Sequence, residues 1–199
     1  MRWFRRTPLD AVRWVVIDCE TSGLDVARDR LLSVGAVIVA ASRIRIAESF
    51  DAFIRQAAPS RPENILVHGI GGDAQLAGSV QEEVISDLAA FIGDGVPVAF
   101  HAPFDAQILR RHGLGVRHRW LDLAQLAPAL FPERRVPDTL DAWLAEFGIA
   151  PIERHSALGD AFSTAQLLLV LLADATRQGI DTLEALQGMQ RAARWLGVP

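Results

Sequence analysis

The sequence predicts an α/β fold, a mixed five-stranded sheet flanked by helices. Three observations carry that reading. Apolar, β-rich runs open the chain at 14–19, 31–41 and 44–54. Apolar residues then recur at helical spacing, beginning with Val80, Val84, Ile85, Leu88 and Ile92. Two short apolar strands, 96–100 and 120–122, each run straight into a further helical stretch.

In chain order, the first strand covers 14–19, and Thr21, Ser22, Gly23, Leu24 and Asp25 make a turn. The runs at 31–41 and 44–54 are joined by so short a connection, Ser42 and Arg43, that they form an antiparallel hairpin. Residues 60–78, with Pro62 and glycines at 69, 71, 72 and 78, read as a loop. Helices follow at 80–92, 104–112, 123–130, 139–147, 160–176 and 183–196. Ile108 and Leu109 face inward, and Gly148 suits a helix stop. The last helix is amphipathic through Leu183, Leu186, Met189 and Trp195. This divides the chain into a basic lead-in at 1–11, one domain at 12–178 and a C-terminal amphipathic helix at 179–199.

At 199 residues, half of them apolar, the chain suits a single globular domain. A formal net charge of −4 excludes coating of nucleic acid by bulk positive charge. The one cysteine, Cys19, excludes an intramolecular disulfide and points to the reducing cytoplasm. The arginine-rich N-terminus lacks an uninterrupted apolar segment, so no signal peptide is expected. The apolar run 165–173 contains Gln166 and is too short to span a bilayer, so no membrane is expected.

The chemistry lies in the acids. Asp18 and Glu20 end the first strand with one residue between them, so they point to one side. Asp105 stands at a strand-to-helix junction, and Asp160 five residues after His155 at a helix start. Taken singly, each acid has an ordinary role in solvation or helix capping. On one continuous helix His155 and Asp160 would stand about 140° apart. They meet only if His155 is on the approaching loop. Jointly, four oxygen donors suit hard cations such as Mg²⁺ or Mn²⁺. Two such ions about 3.5–4 Å apart can clamp a phosphodiester displacement. A nearby imidazole can take the proton of an attacking water near neutral pH.

On these motifs the sequence resembles the DEDD, or DnaQ-like, 3′–5′ exonucleases of the ribonuclease H-like fold. The likeness is to the subgroup with a histidine in its last motif, which includes DNA polymerase III epsilon proofreading subunits, ribonuclease T and oligoribonuclease. IDCETSGLD at 17–25 resembles the first motif, HAPFDAQIL at 101–109 the second and HSALGDAFSTAQLL at 155–168 the third. The resemblance covers about residues 12–178.

The resemblance implies metal-dependent hydrolysis of 3′-terminal phosphodiesters of single-stranded DNA or RNA, releasing nucleoside 5′-monophosphates. It implies that Asp18, Glu20, Asp105 and Asp160 hold two Mg²⁺ or Mn²⁺ and that His155 is the general base. Thr21, Gly23 and Leu24, with Phe104, would contact the terminal nucleotide. VHGIGGD resembles the family's HGI loop, which puts His68, Gly69 and Ile70 beside the substrate. One position departs: the family usually has Asn where this chain has His101, which would line the site or serve as a plain strand-end residue. Asp122 reads as a helix cap. The basic run RRHGLGVRHR, 110–119, is a solvated loop or a contact to the nucleic-acid backbone. Open alternatives are an oligoribonuclease-like hydrolase of very short RNA and a binding module that no longer cuts. A DNA polymerase catalytic subunit or a second copy of the chain are the candidate partners.

Overall fold

The structure, a computed structural model, describes residues 6–60, 63–65, 69–115, 119–152 and 155–196, with side chains as far as Ala193. Among these residues β1 (Trp14–Thr21), β2 (Leu31–Ala40) and β3 (Arg43–Phe53) form an antiparallel meander. Positive φ at Ala41 and Ser42 closes the β2–β3 hairpin in two residues. On the other side of β1, β4 (Val96–Ala99) and β5 (Leu121–Asp122) run parallel to it, giving the order β3-β2-β1-β4-β5. This is the mixed five-stranded sheet that the sequence predicts.

Besides a 3₁₀ turn at Leu9–Ala11, the described helices include α1 (Gly72–Ala77), α2 (Gln81–Ile92), α3 (Ala102–Arg111), α4 (Leu123–Leu130), α5 (Leu140–Glu146), α6 (Ala157–Arg177) and α7 (Leu183–Leu196). They cover both faces of the sheet. Strand alternation sends Val15, Ile17 and Cys19 to one face, where they pack on Val84, Leu88, Ile108 and Leu109 of α2 and α3. Trp14 and Val16 point the other way, onto Leu126 of α4, Trp143 of α5, Leu168 and Leu171 of α6 and Leu186 of α7. A side chain buried this completely is worth about 1.5–3 kcal/mol.

α6 is long and apolar enough to cross a membrane by length and composition alone. Its apolar stripe is instead spent on the sheet: Ala161, Ala165, Leu167, Leu168 and Leu171 are all fully buried. α7 packs on α4 and β5, and its Gln190 accepts a hydrogen bond from the Asp122 amide at 3.0 Å. Thr7 and Leu9 bond to Leu183 and Asp181, so the two ends of the described chain meet.

Three expectations change. β1 runs two residues past Cys19, because Glu20 and Thr21 still pair with β2. The segment 60–78 is not all loop. α1 forms within it, held by tertiary bonds rather than periodicity: the buried Gln75 accepts from Ser60 N at 2.8 Å and donates to Ile70 O at 2.8 Å. Val80 belongs to the N-terminal boundary of α2 and is exposed, while Val84, Ile85, Leu88 and Ile92 are buried as expected.

The seat of α6 decides where its first turn lies. Gly35 of β2 pairs with Asp18, and a Cβ on Gly35 would lie 2.2 Å from backbone atoms of Ala157 and Leu158. Only a residue with no side chain lets the helix start this close to the sheet. Gly35→Ala should therefore cost about 2 kcal/mol or more, in the range of overpacked cores. A lowered urea midpoint with unchanged slope is the expected result.

Candidate active site

β1 carries Asp18 and Glu20 on the α6 face, in line with Trp14 and Val16. The ladder slips by one residue between Glu20 and Thr21. Such a bulge bends the strand and re-aims the side chains beyond it. α6 begins at Ala157, earlier than periodicity suggests, with the Ser156 hydroxyl accepting from Gly159 N at 3.4 Å. Asp160 therefore sits in the first turn, where the helix dipole favours an anion. His155 stands before the helix at φ 61°, a left-handed backbone uncommon outside glycine. Its amide donates to the Asp160 carboxylate at 3.2 Å. The histidine is thus on the approaching loop, as meeting Asp160 requires.

Carboxylate oxygens of Asp18, Glu20 and Asp160 lie within 4.8 Å of one another. At that separation each ionised pair repels by roughly 3 kcal/mol at the effective dielectric of a protein surface. A hard cation among the three oxygens would offset that repulsion. Asp18 and Glu20 are half-buried and Asp160 is buried, so access remains from one side.

Asp105 does not join the three at that spacing. It projects from α3, on the Cys19 face of the sheet, and is 4% exposed. Burial pushes its carboxyl up to about 8, against hydrogen bonds from the Cys19 thiol and amide that favour the anion. The Cys19 thiol is raised as well, first by burial and then by Asp105 and Asp18.

A cavity of about 210 Å³ opens at the start of α6, where His155, Ser156 and Ala157 line it. Ile70 and Gly69 line it together with His155, and Ser33, Asp51 and Phe53 complete its β-sheet wall. The expected HGI loop and the expected base therefore share one space. His68 lies outside the described residues. Leu24 is 89% exposed at the tip of the loop after β1. Thr21 is tied to that loop, its hydroxyl donating to Gly23 O at 2.6 Å. Phe104 is half-buried in the first turn of α3.

His101 caps α3 at φ 61° and ψ 46°. Asn, Asp and His adopt this left-handed backbone more readily than other side chains, which explains physically why His serves here. Its Nε2 lies 3.4 Å from Asp138 O and 3.8 Å from the Asp138 carboxylate, and its ring meets Phe100 edge-on. Asp122 caps α4 as expected, accepting from Ala124 N at 3.2 Å. In the basic run, Arg111 donates to the carbonyls of Val26 and Asp29, while 116–118 lie outside the described residues.

Two contributors escape sequence reasoning. Gly35 had a signal, since a glycine inside an apolar strand marks close backbone approach. Gln75 had none, because a polar residue in a glycine-rich segment looks like any loop position.

Comparisons with known proteins give the family and the fold. Residues 15–168 match the RNase_T family model, described as Exonuclease. The DNA polymerase III subunit epsilon-like protein of Rhodobacter capsulatus is 33% identical over 186 residues, 90% of this chain and 26% of that protein. The PolC-type DNA polymerase III of Bacillus subtilis is 31% identical over 179 residues, 87% of this chain and 12% of that protein. The chain thus spans about a quarter or less of these relatives. Among solved structures, Exonuclease X in complex with 5′ overhanging duplex DNA superposes with a TM-score of 0.72 at 22% identity, covering 89% of this chain and 99% of that one. E. coli Exonuclease I with a dT13 oligonucleotide gives 0.70 at 18%, covering 84% and 42%. At these identities the structural likeness establishes the fold.

The raised Asp105 carboxyl sets a pH dependence. Its folded value of about 8 lies above the ordinary 3.8, so the folded protein holds a proton that the unfolded chain releases. Stability from this group is full below about pH 4 and is lost as pH rises through about 8. Metal-free protein should therefore weaken across that window in urea melts, and Asp105→Asn should flatten most of the slope. Asp122, also raised by burial, leaves a remainder of the same sign.

Proposed function

The chain belongs to the RNase_T exonuclease family, and from that membership we propose that it is a metal-dependent 3′–5′ exonuclease releasing nucleoside 5′-monophosphates from single-stranded 3′ ends. The observation that carries the reading is the carboxylate triad of Asp18, Glu20 and Asp160 within 4.8 Å, with the amide of His155, five residues earlier, bonded to the Asp160 carboxylate. All three donors are hard oxygens on rigid elements, which fits Mg²⁺ or Mn²⁺ rather than a softer metal. Although it stands outside the 4.8 Å group, against Cys19, Asp105 is taken as the fourth acid of the site from its match to the second motif. Divalent ions bound there supply charge stabilisation for an in-line displacement at phosphorus.

The rest is done by the chain itself. The His155 imidazole accepts the proton of the attacking water. Its amide bond to Asp160 fixes the backbone that carries the ring, and the residue lines the cavity. Ile70 and Leu24 offer apolar surface to the terminal base, and Thr21 keeps the Leu24 loop against the end of β1. DNA is the favoured substrate, because the neighbours named above were solved with DNA. A polymerase catalytic subunit is the favoured partner, since the relatives are named as polymerase III proteins.

Asp18→Ala and Asp160→Ala should each lower cleavage of a 3′-labelled oligonucleotide by about 10³-fold or more while the fold survives. His155→Ala should lose most activity yet keep metal binding. Full activity in Asp18→Ala protein would sink the proposal. Adding Mg²⁺ or Mn²⁺ to chelator-treated protein should raise its melting temperature, as ligands of the native state do. Asp160→Asn should shrink that rise.

A further inference from the structure

An exposed arginine at the end of a helix ordinarily bonds only to water, yet Arg111, though exposed, also bonds to the protein. It closes α3, the helix that carries Asp105, and its guanidinium donates to the carbonyls of Val26 and Asp29. Those carbonyls belong to the loop that presents Leu24. The loop is braced from within as well. The Asp29 carboxylate accepts from the Ser22 hydroxyl at 2.9 Å and the Asp25 amide at 2.7 Å. Ser22 N donates to Arg30 O at 2.9 Å, and Asn64 donates to Ser22 O at 2.8 Å. Gly23 lies so close to Asp29 that a Cβ there would stand 2.6 Å from its carboxylate. Out of this tied segment projects Leu24, apolar and 89% exposed.

Resting on the exonuclease reading above, we infer that Arg111 and Asp29 are positioning residues that stiffen the 22–30 loop, so that Leu24 seats the terminal base at a set distance from Asp105 and the triad. An apolar side chain on a yielding loop would be displaced by the base rather than fix it, since positional gains require that the supporting group not move. Arginine suits the task because its planar fork reaches two carbonyls at once, whereas a lysine ammonium is a single point. The basic run around Arg111 is therefore not wholly a phosphate contact: this guanidinium is committed to the protein.

Two measurements test this. For Arg111→Ala, KM on a single-stranded DNA oligonucleotide should rise about tenfold while kcat falls less than about threefold, because seating is ground-state binding. Arg111→Lys should recover only part of it. An unchanged KM, or a fall confined to kcat, overturns the inference. Amide hydrogen exchange gives the second readout. The amides of Ser22, Arg28 and Asp29, all hydrogen-bonded within the loop, should exchange about tenfold faster in Arg111→Ala. Unchanged protection overturns the inference. Exchange is read without turnover, so it decides the brace even if the wild-type chain proves not to cut, an outcome that would sink the exonuclease reading instead. Should Arg111→Ala fail to fold, Asp29→Asn, which sacrifices one of the two accepted bonds, must give the same two changes.

Discussion

Like-charge repulsion is the constraint on which this structure turns. Three carboxylates within 4.8 Å would drive apart any loosely held segments that bore them. Here they cannot separate, because each grows from a buried element. Asp18 and Glu20 continue a strand whose Val15, Val16 and Ile17 are fully buried, and Asp160 opens a helix whose Ala161, Ala165 and Leu168 are equally so. Hydrophobic burial behind the site holds the charge in front of it.

Close approach makes the arrangement possible. Gly35, paired with Asp18, has no Cβ, and the start of α6 fills that space. The same helix that covers the sheet with its apolar stripe thereby delivers Asp160 beside Asp18, and its N-terminal dipole favours the anion. Core packing and site geometry are one requirement here, so a lesion in the first is felt in the second.

The acid of the second motif is held differently. Asp105 is enclosed against Cys19 from the opposite face, and its proton affinity is raised by burial. Two environments thus act on the four carboxyls: one group clustered and partly wet, the other dry and single. Gly69, Ile70 and Gly71 line the cavity that His155 shares, and the buried amide of Gln75 ties Ile70 in place.

Most of the strand and helix order was legible in the sequence, because period-two and period-3.6 patterns report which faces are buried. That Asp18 and Glu20 share one side was legible too, since the alternation of a strand puts them together without any tertiary knowledge. Helix starts were less so: α6 begins a turn before its apolar pattern, set by the Ser156 cap, and α1 lacks a pattern altogether. The separation of Asp105 from the triad, the left-handed backbone of His101 and His155, and the bridge from Arg111 to the Leu24 loop were decided only in three dimensions. The physical reason is that each depends on contacts between residues distant in the chain, such as Arg111 with Val26 and Gly35 with Ala157, and no local periodicity encodes such a meeting.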